Sequence, residues 1–454
     1  MPIGYKRAYD SHQLQIYADI QEMLQDRQID IAVIGGGAKA AALAAKASAL
    51  RRARIANIHI TIFEKSEIGA HWSGKGGYTD GKQRLCTPAE RDVGFPYSSI
   101  HGERVDDELY SNFSWASFLR TKRQHYSAWV DGGRKAPMHE DFAKYLAWVV
   151  KRSEAITILT KVEGLQPVDG KWIVQHRGAS GALGNASDIS FDGVVVSSPG
   201  PARRVRVHGD AGTVFDGDDF WKRLKEVAKI LKKSEIGGQV AIVGAGGTAA
   251  AVLAWLTRNG YKDREIVMVA NQAALFTRGD SVFENRLFSD EEAWKALSLE
   301  SRKEFAGRLN RGVVWSTVME QVSSASRLVF LDGRATAVRT GNGGPIEVSV
   351  RRGDGKNVKL RPVILVDASG FEPWWFLKLI RVLPAKSRRS RDFADALQKA
   401  VGPNLDFRGS VWSLPRLHAP VVSSAIGPGF GSLMSLGGMA DRVLTAYVSR
   451  KPLD

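Results

Sequence analysis

The chain has 454 residues, 44% of them hydrophobic and 25% charged, and these proportions exclude wholesale disorder, collagen and coiled coil. Its 64 basic and 48 acidic side chains leave a net charge of +16, which by itself admits nucleic acid, an anionic membrane, or an acidic small molecule or carrier as partner. The single cysteine, Cys86, excludes an internal disulfide and favours a reducing compartment. The sequence has no ~20-residue apolar run and no signal-peptide pattern, so we expect a cytoplasmic protein without a membrane span.

Residues 29–34 (IDIAVI) predict a buried strand that leads through the turn GGGAKA into an alanine-rich helix ending near residue 50. In that turn Gly35, Gly37 and Ala40 follow the G-x-G-x-x-A fingerprint of dinucleotide binding. The first glycine permits the tight turn, the second lets the backbone approach a diphosphate, and the small third residue allows close helix packing. The next strand ends at Glu64, where a carboxylate can bind a ribose diol.

Two lysines of the alanine-rich helix, Lys39 and Lys46, are predicted to be surface charges. Strand character then recurs at residues 155–165, 172–176 and 191–198.

The same pattern occurs a second time. A strand at residues 239–243 precedes the turn GAGGTA, in which Gly244, Gly246 and Ala249 repeat the fingerprint. The residue that corresponds to Glu64 is Asn271, and Arg278 follows shortly after it. Without a carboxylate a ribose 2′-phosphate is not repelled, and an arginine can pair with it, so this copy favours NADPH over NADH.

Two copies predict an α/β fold with two Rossmann-like dinucleotide-binding domains, FAD in the first and NADPH in the second, and a small, mostly helical substrate region. We assign residues 1–210 and 355–454 to the FAD domain and 211–354 to the NADPH domain, with substrate-pocket helices near 283–320. Electrons then pass from the nicotinamide to the flavin. No Cys-x-x-Cys pair is present for disulfide reduction, and the scattered histidines predict no metal site.

Longer segments carry a family resemblance. The run GAHWSGKGGYTDG at residues 69–81, with DVGFPY at 92–97, resembles the flavin loop of flavin-dependent N-hydroxylating monooxygenases, the lysine N-epsilon-hydroxylases of siderophore pathways above all. YLAWV at 145–149 and the region 275–290 also match, and the chain is more distantly similar to ornithine N-hydroxylases. The resemblance implies that NADPH reduces FAD, that dioxygen forms a flavin hydroperoxide, and that its distal oxygen passes to a side-chain amine.

The resemblance also implies roles for single residues. Asn285 takes the position of an asparagine near the substrate, Gln83 that of a glutamine beside the flavin, and Ser435 that of a C-terminal serine at the substrate. Asn285 and Gln83 are accordingly the predicted catalytic residues. Arg91 stands where relatives carry a lysine that holds the substrate carboxylate, and this change leaves the identity of the substrate open.

Oxygen transfer needs a dry pocket, because water releases peroxide and only an unprotonated amine has a lone pair to react. Aromatic side chains of the resembling segments are the candidate walls of that pocket: Trp72, which we also assign to the cofactor, Phe283 and Phe288.

The predicted function is therefore N-hydroxylation of L-lysine with FAD and NADPH. Its alternatives are ornithine or another amine, and an NADPH oxidase without an amine target. The partners expected are the amine and dioxygen, and a homo-oligomer is left open. An RNA-associated flavoprotein, suggested by the charge, is disfavoured because no aromatic residues interleave the basic patches.

Overall fold

The computed structural model describes residues 27–122, 125–177, 183–184, 190–209, 212–234, 238–272, 274–277, 281–309, 313–314, 316–341 and 345–448. Its strands, in chain order, are β1 (Ile29–Ile34), β2 (Ile58–Glu64), β3 (Ile156–Leu159), β4 (Val162–Val168), β5 (Lys171–Arg177), β6 (Leu183–Gly184), β7 (Ser190–Phe191), β8 (Gly193–Val196), β9 (Val207–His208), β10 (Val214–Asp216), β11 (Val240–Val243), β12 (Ile266–Ala270), β13 (Phe276–Thr277), β14 (Val313–Val314), β15 (Leu328–Thr340), β16 (Ile346–Arg352), β17 (Asn357–Leu360), β18 (Ile364–Asp367) and β19 (Leu417–His418).

Its helices are α1 (Ala38–Arg52), α2 (Glu103–Phe113), α3 (Trp115–Arg120), α4 (His125–Asp131), α5 (His139–Ser153), α6 (Asp219–Lys222), α7 (Leu224–Lys233), α8 (Gly247–Arg258), α9 (Val282–Ser289), α10 (Glu291–Lys295), α11 (Leu299–Leu309), α12 (Ser316–Val322), α13 (Arg391–Lys399) and α14 (Leu436–Leu444). The helices α9 to α12 form the predicted helical segment, and the α/β prediction is confirmed.

The first unit is built on a parallel sheet of order β19-β8-β1-β2-β3. The strand that carries the first fingerprint, β1, lies at its centre, between β8 and β2. Ile31, Ala32 and Val33 of β1 are completely buried because both faces of the sheet are covered. The apolar residues at 31–34 of β1 match this burial.

The second unit repeats the arrangement. Its strands β10, β18, β11, β12 and β15 are parallel, with β11 at the centre, and the antiparallel strands β16 and β17 extend the sheet. This sheet continues past residue 355, the predicted boundary of the NADPH domain, because β17 pairs with β16 and β18 with β11. The chain leaves the second sheet only after Asp367.

Helix α1 packs in the core of the first unit and is buried on nearly all sides, since its alanines let neighbouring elements approach closely. The prediction that Lys46 is a surface charge is wrong. Its side chain is 1% exposed, and Nζ lies 2.7 Å from Oδ1 of Asp441 on α14. Ser99 donates a second hydrogen bond to the same carboxylate oxygen. This buried ion pair joins the fingerprint helix to the C-terminal helix.

Lys46→Met is expected to lower the free energy of unfolding by about 3–5 kcal/mol, because the Asp441 carboxylate stays buried without its cation. Denaturant unfolding at neutral pH measures the change. The matched control is Lys144→Met, which breaks an exposed ion pair with Asp141 and is expected to cost at most about 1 kcal/mol. Equal losses in the two variants would contradict a stabilising role for the buried pair.

Candidate functional site

The first glycine turn connects the carboxyl end of β1 to α1. Gly35 has a φ of +104°, a conformation that favours glycine, and its N–H donates to the carbonyl of Phe63 at 2.9 Å. A Cβ on Gly35 would lie 2.9 Å from Oγ of Ser197, which itself donates to the Gly35 carbonyl at 2.7 Å. Glycine is therefore required here by both backbone conformation and space.

The N-terminus of α1 opens onto a cleft of about 630 Å³. Gly37 is the N-cap residue of the helix, and a Cβ added to it would meet no atom within 4 Å. Ala40 is completely buried, as the third fingerprint position predicts. The free N–H groups and the positive end of the helix dipole at this site favour a diphosphate.

Glu64 lines the same cleft from the end of β2. Its Oε2 accepts a hydrogen bond from the N–H of Gly36 at 2.7 Å, and its Oε1 accepts one from the N–H of Ser66 at 3.0 Å. A Cβ on Gly36 would approach the Glu64 side chain to 3.0 Å. The carboxylate thus braces the glycine turn while it forms part of the cleft wall.

Aromatic and titratable side chains form another part of the wall. Trp72 packs against Phe142 in an edge-on arrangement, with ring centroids 5.4 Å apart. The rings of His71 and Tyr78 lie 4.1 Å apart. Burial, partly offset by Glu64, lowers the pKa of His71 to about 4, so the imidazole is neutral at pH 7. Burial and nearby carboxylates raise the pKa of Tyr78.

His71 and Tyr78 were not predicted as cleft residues, and the prediction that Lys39 is a surface charge is wrong. Lys39 lines the cleft, and burial lowers its pKa to about 8. Its place in the turn, directly before Ala40, was the available signal. The alanine-rich helix hid it, because such a helix has no distinct polar face.

The second glycine turn has the same construction. Gly244 has a φ of +109°, its N–H donates to the carbonyl of Val269 at 2.8 Å, and a Cβ on it would collide with the carbonyl of Ala368. Gly246 is the N-cap residue of α8, and a Cβ there would meet nothing within 4 Å. Ala249 is completely buried.

Asn271 follows β12 at the position that Glu64 takes after β2, and it is exposed. Arg278, the predicted partner of a ribose 2′-phosphate, lies outside the described residues.

Two contacts join the segment at residues 78–83 to the second unit. The amide of Gln83, 5% exposed, donates from Nε2 to the carbonyl of Ala251 on α8 at 2.9 Å. Asp80 forms an ion pair with Arg258 at the end of the same helix. Gln83 therefore lies at the contact between the two units, and it does not contribute to the wall of the first cleft.

Two of the predicted substrate residues, Arg91 and Ser435, lie close together at a second place, beside the helix that carries Asn285. Arg91 donates from Nη1 to the carbonyl of Met434 at 2.7 Å, which brings it to the residue before Ser435. Ser435 precedes α14 and is 2% exposed. A Cβ on Gly429 would collide with the carbonyl of Phe288 and approach Cβ of Ser435 to 2.8 Å. Helix α9, which carries the half-buried Asn285, thus packs beside Ser435.

The described hydrogen bonds of Asp92 go to its own loop and to the first residue of α3. Its buried carboxylate accepts hydrogen bonds from the N–H of Trp115 and from the hydroxyl of Tyr97, both at 2.7 Å. Burial raises the pKa of Asp92 to about 6, partly offset by these hydrogen bonds. The guanidinium of Arg91 instead lies 4.5 Å from the ring centroid of Phe95. The contacts with Phe95 and with the Met434 carbonyl thus orient the Arg91 side chain.

The aromatic candidates for a dry wall differ in exposure. Phe288 is 6% exposed and Trp72 half-buried, whereas the side chain of Phe283 is 80% exposed. Phe283 does not form a wall in this structure.

Among the described residues, no group of three or more His, Cys, Asp or Glu side chains has the arrangement of a metal site. No helix in the described part of the chain is long and apolar enough to cross a membrane.

The fold and the two glycine turns define the class of protein to which this chain belongs. Each unit has a glycine turn at the carboxyl end of its central parallel strand, and the chain runs from the first unit into the second and back. Ser197 and Ala368, which close the two turns, follow the strands that neighbour β1 and β11 in equivalent places. This is the architecture of an oxidoreductase with two dinucleotide-binding domains.

Comparison with known proteins narrows the class to a family. The model of the L-lysine 6-monooxygenase/L-ornithine 5-monooxygenase family matches residues 108–322. The L-lysine N6-monooxygenase MbtG of Mycobacterium tuberculosis is 34% identical over 435 residues, which cover 92% of this chain and 95% of the relative. The chain belongs to this family of N-hydroxylating monooxygenases. The resemblance drawn from residues 69–97 is confirmed.

Two solved structures have a fold similar to that of this chain. The lysine monooxygenase NbtG of Nocardia farcinica is 30% identical and superposes with a TM-score of 0.73, over 91% of this chain and 99% of that one. The ornithine hydroxylase PvdA of Pseudomonas aeruginosa has a TM-score of 0.66 over 93% of this chain and 99% of that one. At 19% identity it supports the fold alone.

Proposed function

We propose that this protein uses FAD and NADPH to hydroxylate the side-chain amine of L-lysine in siderophore biosynthesis. The observation that carries the proposal is the meeting of Arg91, Ser435 and α9 in a chain whose 34% identical relative is an L-lysine N6-monooxygenase. The single cysteine agrees with a cytoplasmic location.

The first cleft fits FAD. The open space over Gly37, where a Cβ would meet nothing, leaves room for a diphosphate at the helix N-terminus. Gly35 and Ala40 shape the turn, and Glu64, which lines the cleft, is proposed to bind the ribose. Trp72 provides apolar wall beside them. The flavin, when bound, supplies the electron transfer and the activation of dioxygen.

The second turn fits NADPH. Gly246 leaves the N-terminus of α8 open, and the exposed Asn271 presents no carboxylate against a 2′-phosphate. Arg278 keeps its proposed role as the partner of that phosphate. Gln83 is proposed to act where the two units meet, since it already bonds α8 from the flavin-loop side. We place the return of the chain to the FAD domain after the turn that follows Asp367.

The substrate amine must lose its proton before it reacts, and its ordinary pKa is near ~10.4. A desolvated pocket lowers that pKa, because burial disfavours the ammonium form. Phe288 and the small-residue segment at Gly429 restrict water at this place. Asn285 and Ser435 are proposed to bind the amino acid, and Arg91 its carboxylate.

The assignment is tested with the FAD-loaded protein, NADPH, dioxygen and a panel of lysine, ornithine, arginine and simple diamines. The expected result is a hydroxylamine with lysine, formed in proportion to the NADPH consumed. A preference for ornithine would change the proposed substrate and leave the proposed type of reaction unchanged. Peroxide release that no amine suppresses, with no hydroxylamine, would contradict the proposal and leave an NADPH oxidase.

Arg91→Met is expected to raise the KM for lysine roughly 10- to 100-fold, because a charge-assisted contact to the carboxylate contributes ~1.5–3 kcal/mol. Cadaverine, which has the amine but no carboxylate, is the matched substrate, and its KM is expected to stay the same. Arg91→Lys is expected to restore part of the affinity for lysine. If Arg91→Met changes the KM of both substrates equally, the proposed carboxylate contact is wrong, and Arg91 acts through its contacts within the protein, such as those with Met434 and Phe95.

A further inference from the structure

Lys39 is a cation in the wall of the first cleft that the proposed chemistry does not use. It is the second residue of α1, immediately above the N-terminus that Gly37 leaves open. Burial lowers its pKa to about 8, and within the described part of the chain no neighbouring carboxylate counteracts that effect. Partial burial of a lysine without an anion costs free energy, because the ammonium group is desolvated. A ligand with negative charge would offset that cost.

The carboxylates of the cleft are already engaged elsewhere. Glu64 accepts hydrogen bonds from the N–H groups of Gly36 and Ser66. Asp218, the other acidic residue in the wall, forms an ion pair with Lys222. Among the residues that the structure describes, neither carboxylate counteracts the desolvation of Lys39, and an anionic ligand in the cleft would do so.

The two glycine turns provide an internal comparison. Aligned from their first glycines, GGGAKA and GAGGTA place Lys39 opposite Thr248. The second turn thus has the same backbone construction, with a φ of +109° at Gly244, and no cation at this position. The two turns therefore share a backbone construction and differ in side-chain charge at this position.

We propose that the Lys39 ammonium binds the diphosphate of FAD and strengthens nucleotide binding at the first glycine turn. The inference rests on the proposed assignment of FAD to the first cleft. A charge-assisted hydrogen bond adds to the backbone N–H groups and the helix dipole at the same place.

A pH dependence follows. The diphosphate favours the charged lysine, so FAD binding takes up a proton when Lys39 is neutral beforehand. FAD affinity is expected to fall as the pH rises above about 8. The other titratable groups in the wall are Glu64, Lys65, His71, Tyr78, Lys161 and Asp218. His71 is neutral above its pKa of about 4, and the pKa of Tyr78 is raised, so neither changes charge near pH 8.

The test titrates full-length apoprotein with FAD and with riboflavin, which lacks the diphosphate, and follows the flavin fluorescence. Lys39→Met and Lys39→Thr, the residue of the second turn, are expected to weaken FAD binding roughly 10- to 100-fold and to leave riboflavin binding unchanged. Lys39→Arg keeps the cation and is expected to stay near the wild type. Lys144→Met, a loss of charge at an exposed site, is the matched control and is expected to have no effect.

The wild type alone provides a second measurement, independent of whether any variant folds. Its FAD dissociation constant is expected to rise between pH 7.5 and 9.5, and the slope is expected to vanish in Lys39→Met. Unchanged FAD affinity in Lys39→Met, an equal loss for riboflavin, or a flat wild-type profile would overturn the inference. None of these results depends on the hydroxylamine assay, and the comparison of FAD binding does not depend on that assay either. A failure of the Lys39 inference can therefore be distinguished from a failure of the proposed function.

Discussion

The structure depends on a constraint at two points, where a buried parallel strand must turn into a helix within a few residues. At Gly35 and Gly244 the backbone adopts a positive φ, and the neighbouring strand ends, at Ser197 and Ala368, leave no room for a Cβ. Only glycine satisfies both conditions. Because each turn directs a helix N-terminus at open space, the same constraint that closes the fold creates a place for a diphosphate. The two sites follow from the packing of their own sheets.

The two copies differ where their tasks differ. Glu64 braces the first turn and lines its cleft, whereas Asn271 is exposed after the second. Lys39 enriches the first site in positive charge, and Thr248 takes its place in the second. Between the units, Gln83 bonds the helix of the second turn from the loop that flanks the first. These differences in charge and contact accompany the proposed binding of FAD at the first turn and of NADPH at the second.

Local sequence patterns predicted the fold, but they did not predict which distant residues contact a given side chain. The strand–turn–helix order of GGGAKA and GAGGTA follows from glycine and alanine chemistry, and so the two sheets were predictable. The buried ion pair of Lys46 was not predictable, because its partner Asp441 lies far along the chain on α14. The contact of Gln83 with Ala251 is likewise tertiary. The boundary at residue 355 missed β17 and β18, since strand character does not reveal which sheet a strand joins.

In the proposed function, one chain binds two nucleotides at separate glycine turns. Equilibrium binding of FAD and NADP⁺ to the wild type, Gly37→Ala and Gly246→Ala tests it most directly, because a Cβ at either position meets no protein atom and should leave folding intact. The account predicts one molecule of each ligand on the wild type without mutual displacement, selective loss of FAD in Gly37→Ala, and selective loss of NADP⁺ in Gly246→Ala. Competition between the two ligands for one site, or equal loss of both in either variant, would contradict it.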